Sequence, residues 1–349
     1  MTREVLTRWA SWETFLAILT LALIACAAYA VPPFTSAFNI SQAIAGVSER
    51  ALIAMPMALL IIAREIDLSV ASILSLSSVV LGVAVQAGAP LWAAMTLALA
   101  TGALCGAFNG VLVTRAGLPS LVVTLGTLAM FRGIGYILLG PKSVNEFPEA
   151  FTDFGIDTIG GTVLPWTIAP FLVLAPVFFL VLQKSAVGRR IYAIGGSPAT
   201  ALYSGVRVNR IRFMLFVTSG LVCALAAIVF TARVANARAD NALGLELDVI
   251  TVALLGGISV FGGKGKLTGV FWALVLVATV RNVLGLERIG GDAQGTIIGL
   301  LLIGTLLVST TTQRLLARAR ASRAISKSSR SGFGRPAVPT PITEAEDAT

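Results

Sequence analysis

The sequence predicts an all-α integral membrane protein with about ten transmembrane helices in two five-helix inverted repeats. Three observations carry that expectation. Of 349 residues, 56% are hydrophobic and only 12% charged, with a mean hydropathy of +0.88, whereas a soluble domain carries about 25% charged residues. Apolar runs recur at the length that crosses a bilayer, about 20 residues. A set of short polar motifs in the first half returns in the second half at nearly constant spacing.

Taken in order, residues 1–13 are a short polar start, expected in the cytoplasm, with Arg3 and Arg8. Residues 14–31 form the first span. It ends Ala28-Tyr29-Ala30, which imitates a signal-peptidase site, and is read as an uncleaved anchor. Residues 32–48 make an outer segment. The run 51–63 is too short to cross as a straight helix, which needs about 20 residues. It gains length only by taking in 47–50, with Glu49 and Arg50 near the outer interface.

A charged break follows, Arg64-Glu65-Ile66-Asp67-Leu68-Ser69. On an insertion scale each such charge at mid-membrane costs roughly 2.5–3.5 kcal/mol. Spans are expected at 68–87, 91–113 and 120–139, then an acidic loop 140–164, a span at 166–182 and a basic loop 183–212. Beyond it come a span at 213–232, a polar segment 233–248 and a second short run, 249–261. The last spans are 267–284 and 296–311. The transmembrane domain is therefore 14–312, and the Arg/Ser-rich, then Pro-rich, then acidic tail 313–349 is expected to be disordered and cytoplasmic.

The charge of +9 acquires meaning through its sidedness, and gives no reason to expect nucleic acid. With the N-terminus inside, the loops carry 12 Lys/Arg inside against 6 outside, the tail adds seven inside, and Arg132 lies within a span. That bias follows the positive-inside rule and puts both termini in the cytoplasm. The absence of histidine removes imidazole catalysis and His metal sites. Cys26, Cys105 and Cys223 sit far apart in apolar runs and read as packing residues. No catalytic, cofactor or metal site is expected.

The repeat rests on three pairs. Glu65-Ile66-Asp67-Leu68 resembles Glu246-Leu247-Asp248-Val249, Asn109-Gly110-Val111-Leu112 resembles Asn282-Val283-Leu284-Gly285, and Arg115-Ala116-Gly117 resembles Arg288-Ile289-Gly290. Five spans per half is an odd number, so the halves run in opposite orientations. Inverted repeats place substrate paths at their interface, near broken helices. Glu65, Asp67, Ser69, Asn109, Glu246, Asp248, Gly256, Gly257 and Asn282 are thus the candidates for pathway or helix-break residues.

Asp67 or Ser69 can N-cap the following span, and Asp248 reads in the same way. The plain alternative is a structural cap with no other role. The stretch from Leu255 to Gly265 holds five glycines, but Ile258 and Gly265 stand where a phosphate loop needs Gly and Ser/Thr, so it reads as a turn and close helix packing. Within the basic loop, Ser197-Pro198-Ala199-Thr200-Ala201-Leu202-Tyr203-Ser204-Gly205 spells a short helix, with Ser197 as N-cap, Pro198 at N1 and Gly205 past its end. A capped helix in a cytoplasmic loop suits a docking partner. Arg132 is read as snorkelling or as a structural salt bridge.

Together these stretches resemble the permease subunits of bacterial ABC importers of the ribose/xylose/rhamnose/autoinducer-2 class. That family's usual Gly-Gly-Ile-Asp-Leu-Ser-Val-Gly-Ser appears as Arg64-Glu65-Ile66-Asp67-Leu68-Ser69-Val70-Ala71-Ser72, with Arg64, Glu65 and Ala71 replacing glycines. Residues 118–127, Arg132-Gly133, 188–206 and 246–250 extend the likeness over about 45–308. The resemblance implies a permease dimer of like or unlike chains in the bacterial inner membrane. It further implies cytoplasmic ABC ATPase subunits docking at 197–205, a periplasmic solute-binding protein, and a monosaccharide or related small polar solute, rhamnose by the charge at the break. ATP would be hydrolysed by the partner, so this chain is not an enzyme. Two alternatives remain: an ion-coupled secondary transporter using Asp67 or Glu65, and an importer of the same architecture for branched-chain amino acids.

Overall fold

The computed structural model describes residues 12–291, 293–300 and 303–304. Its helices are α1 Trp12–Ala30, α2 Ala37–Ala45, α3 Ser48–Ile62, α4 Val70–Gln86, α5 Leu91–Thr114, α6 Ser120–Leu139, α7 Glu149–Ile156, α8 Ala169–Lys184, α9 Ala186–Gly196, α10 Pro198–Tyr203, α11 Val208–Val234, α12 Leu245–Leu255 and α13 Leu267–Leu286. Among the described residues the only β pairing is two isolated bridges, Val144 with Ala237 and Thr158 with Pro165. The chain divides into two units, Met1–Leu302 and Ile303–Thr349. In the second only 303–304 are described, and they are helical.

Among the described residues seven helices are long and apolar enough to cross a membrane: Trp12–Ala30, Ala37–Ile62, Leu91–Thr114, Ser120–Leu139, Trp166–Lys184, Val208–Val234 and Leu267–Leu286. The expectation of ten is met only to that extent. The run expected at 51–63 becomes a 26-residue element because α2 feeds directly into α3. It takes in Glu49 and Arg50, and both charges have ionic partners. The run expected at 249–261 is instead the 11-residue α12, which starts earlier and stops at Leu255. At 1.5 Å per residue it rises roughly 16 Å, about half a bilayer core. Helix α4 has 17 residues and counts as a shorter apolar helix. The run 296–311 and the tail 313–349 fall largely outside the described residues.

Helix α11 is the axis of the core, packing on α3, α4, α5 and α7. Its tightest partner is α5. Gly102, Gly106 and Gly110 recur every four residues on α5 and face Gly220, Phe216 and Phe213 of α11. A Cβ at Gly102 or Gly106 would overlap a backbone carbonyl of α11. Small residues at this spacing let two membrane helices approach until their backbones touch. By contrast α1, α5, α6 and α8 leave much of their apolar surface exposed, as helices facing lipid do.

Candidate functional site

The break between α3 and α4 is the meeting point of one polar cluster. The chain leaves α3 at Ala63, and Arg64 adopts a left-handed backbone, φ 65°. That conformation is strained for a side-chain-bearing residue and natural for glycine. Arg64 has two interactions that a glycine would lack: its guanidinium donates to the carbonyls of Phe261, at 2.8 Å, and Gly196, at 2.9 Å. Glu65 pairs with Arg212 at 2.8 Å. The Ile66 N–H donates to Ser120 Oγ at the start of α6.

Asp67 is fully buried. Its Oδ1 accepts from the N–H of Ser69, at 3.0 Å, and from the Ser69 hydroxyl, at 2.6 Å, while Oδ2 accepts from Ser219 of α11 at 3.1 Å. Asn109 of α5 donates to Ser69 Oγ at 2.8 Å. The cap differs from expectation in one respect. Ser69 occupies the N-cap of α4, but its hydroxyl bonds to Asp67 and makes no side-chain cap bond. Asp67 instead satisfies the Ser69 N–H from two residues upstream, a local turn that short carboxylates favour. One break thus ties α4, α5 and α11 together without a cation on Asp67.

The same junction gathers the glycine-rich stretch and the basic loop. Gly263 N–H donates to Ile62 O at 2.8 Å. Gly195 lies against Ile62 O and Gly263, where a Cβ would overlap both. Tyr192 of α9 donates its hydroxyl to Gly265 O at 2.7 Å, and burial raises its phenol pKa, so it remains a donor at physiological pH. Gly256 and Gly257 end α12: Gly256 abuts the Gly269–Val270 backbone of α13, and Gly257, φ 87°, faces the indole of Trp12. Trp12 Nε1 donates to Leu255 O at 2.8 Å.

A second cluster surrounds Asp248. Here the capping expectation is corrected: Gly244 is the N-cap of α12, so Asp248 lies within the first turn, and its carboxyl goes to two arginines rather than to backbone N–H groups. Arg50 reaches Asp248 at 3.2 Å and Arg281 reaches it at 2.6 Å. Arg50 also lies 3.6 Å from Glu49, which pairs with Arg233 at 2.8 Å. The chain Arg233–Glu49–Arg50–Asp248–Arg281 links α11, α3, α12 and α13. Next to it Asn282 and Asn39 exchange two hydrogen bonds, at 2.8 and 2.9 Å. A pocket of about 290 Å³ lies between α2 and α13, lined by Asn39, Gln42, Arg50, Arg281 and Asn282.

Glu246 joins neither cluster through a described bond; its charged neighbour is Arg132. Arg132 makes no ion pair among the described residues and donates to the carbonyls of Ala239 and Asn241 instead. In the basic loop, Ser197 Oγ accepts from Thr200 N–H at the start of α10, with Pro198 in the first turn, Ala199 and Thr200 following, and Ala201 buried. Ser204 ends the helix and Gly205 turns the chain with φ 79°. Leu202 and Tyr203 project outward, 61% and 91% exposed.

Sequence reasoning missed Glu49, Arg233 and Arg281 as members of one network, and Ser219 as a partner of Asp67. It also missed the Gly102-x3-Gly106-x3-Gly110 stripe, which was legible as a small-residue helix-packing pattern.

The fold is that of a multi-pass helical membrane protein with two polar clusters at its short and interrupted helices. The chain belongs to the family described as branched-chain amino acid transport system / permease component, which it matches over residues 39–311. It is similar to the autoinducer 2 import system permease protein LsrD of Klebsiella pneumoniae subsp. pneumoniae, 35% identical over 259 residues covering 72% of this chain and 77% of that protein. It is also similar to LsrD of Escherichia coli K12, 36% identical over 72% of this chain and 78% of that one, and to LsrD of Shigella flexneri at the same identity and coverage. No solved structure matches the chain. These relatives support the importer-permease resemblance and give no specific support to a rhamnose cargo.

Proposed function

We propose that this chain is the pathway-forming permease subunit of an ATP-driven importer for a small polar solute of the autoinducer-2 type, in the bacterial inner membrane with both termini in the cytoplasm. The observation that carries the reading is the inner junction. Arg64, Gly196, Tyr192 and Gly263 bond the pathway-side break to the segment that presents α10, and Gly195 packs against Ile62 and Gly263 beside them. A push on the exposed Leu202–Tyr203 face would therefore reach the Asp67 cluster through a few short bonds. The expected partners are a cytoplasmic ABC ATPase docking on α10, a second permease chain, and a periplasmic binding protein that delivers the solute.

The inverted repeat of two five-helix halves is part of the same reading. Its support is that the repeated motifs lie near one another in each half, although Asn282 itself pairs with Asn39 of the first half. Asp67 shares a cluster with Asn109, and Asp248 shares one with Arg281 beside Asn282. Sidedness gives further support: every described ion pair joins residues that the positive-inside topology assigns to the same side, Glu65–Arg212 and Glu13–Lys266 inside, the Arg233-to-Arg281 chain and Arg238–Asp240 outside.

An ion-coupled carrier built on Asp67 or Glu65 is disfavoured by geometry: Asp67 is enclosed by hydroxyl donors and Glu65 is held by Arg212. A branched-chain amino acid cargo is the second reading, favoured by the family's description. Calorimetry on the cognate binding protein, with autoinducer-2-type sugars, rhamnose and leucine as ligands, separates the cargoes. Tight binding of leucine alone would overturn the polar-solute reading.

A further inference from the structure

Helices α8 and α11 both pack on α3 and leave a groove of about 700 Å³ between them. Leu59 of α3 forms its floor, and Phe178 and Met214 stand on its walls. Its lining on α11 extends from Arg207, just before the helix, to Thr218, roughly 16 Å along the axis. Three exposed guanidiniums, Arg190, Arg207 and Arg210, line one end. None of the three takes part in an ion pair among the described residues, whereas their neighbour Arg212 is engaged with Glu65. The sequence holds no Asp or Glu between Asp157 and Asp240, so this whole region of chain supplies no counter-charge of its own.

A long apolar slot between two spans, with exposed apolar lining such as Val177 and Met214 and cations at one end, has the shape and charge of a phospholipid site. A soluble partner reaches the arginines but not the slot, which runs into the membrane-spanning part of α11. Basic pockets between spans at the cytoplasmic interface suit anionic headgroups, and guanidinium forks match phosphate oxygens in pairs.

We propose that this groove binds an anionic phospholipid of the inner leaflet, with an acyl chain along Leu59, Phe178 and Met214 and the phosphate held by Arg190, Arg207 and Arg210. The inference rests on the topology proposed above, which puts these arginines at the cytoplasmic interface. The lipid would sit beside α10 and steady the loop on which the ATPase docks.

The test is native mass spectrometry of the full chain in detergent with equal dioleoyl-phosphatidylglycerol and dioleoyl-phosphatidylcholine. Wild type should retain phosphatidylglycerol over phosphatidylcholine by at least about tenfold, since each arginine near the headgroup contributes about fivefold. The R190Q/R207Q/R210Q variant should bring that ratio close to one. Met214→Trp, which narrows the slot without altering charge, should lower retention of both lipids. Equal retention by wild type, or an unchanged preference in the triple variant, overturns the proposal. So does displacement of the lipid by inorganic phosphate, which would make a free anion the ligand, or a lipid-free dimer, which would make a second copy the occupant. Solute uptake is not read in this experiment, so its failure leaves the transport reading standing.

Discussion

Replacing Asp67 separates a structural carboxyl from a transporting one. In Asp67→Ala the acceptor for three hydrogen bonds disappears, two from Ser69 and one from Ser219. All three residues are buried. A buried donor left without a partner costs about 1–3 kcal/mol, and the two hydroxyls recover part of this by rotating. The expected destabilisation is about 3–5 kcal/mol. Asp67→Asn keeps the shape: its amide oxygen accepts from Ser69, and its NH₂ donates to the Ser219 oxygen, a reversal the hydroxyl permits. Its expected cost is below about 1 kcal/mol. The assay is thermal unfolding of the full chain beside solute uptake in proteoliposomes carrying the ATPase and binding protein. Asp67→Asn should unfold near wild type and transport within about threefold of it, a difference of less than 1 kcal/mol. A stable Asp67→Asn protein that does not transport refutes the structural role and revives the ion-coupled carrier.

Three other perturbations probe the surrounding frame. Glu49→Gln withdraws a buried partner from Arg233 and Arg50 and should lower stability by about 3 kcal/mol, read by thermal unfolding in detergent. Gly106→Leu inserts a side chain where a Cβ already overlaps the Phe216 carbonyl; it should destabilise by 3 kcal/mol or more, on the order of a severe overpacking, with Gly126→Ala, facing open space, as the tolerated control. Arg64→Gly relieves left-handed strain of about 1–2 kcal/mol and gives up two hydrogen bonds worth about 1 kcal/mol each. Its stability should stay close to wild type while stimulation of the ATPase by solute-loaded binding protein falls.

The class of fold was legible because membrane helices announce themselves by length and hydropathy, and α1, α5, α6, α8, α11 and α13 lie close to where apolar runs predict them. The two short elements were harder. Composition cannot say that α2 will continue into α3, because the extension passes through Glu49 and Arg50, whose cost depends on distant residues Arg233 and Asp248. Nor can it say that α12 stops at Leu255, which follows from the Gly256–Gly257 turn packing on Val270 and Trp12. At the site, local chemistry was readable. The Ser197 cap of α10 and the charged break are visible as residue strings. The bonds that join them are long-range, from Arg64 to Gly196 and Phe261, and no spacing rule reveals them. Arg64 and Glu65 acquire reasons only in three dimensions: one clasps the end of α9 and the turn at Phe261, and the other meets Arg212.

The central question is whether a partner ATPase docks on α10 to drive this chain. Leu202→Glu/Tyr203→Glu alters two outward side chains, 61% and 91% exposed, and should leave folding intact. Co-purification of the ATPase with the permease, measured together with ATP-driven uptake after collapse of the proton gradient, gives the decision. Docking at α10 predicts that wild type binds the ATPase and transports without the gradient, and that the double variant folds but does neither. A double variant that transports fully, with uptake abolished by gradient collapse, would contradict it.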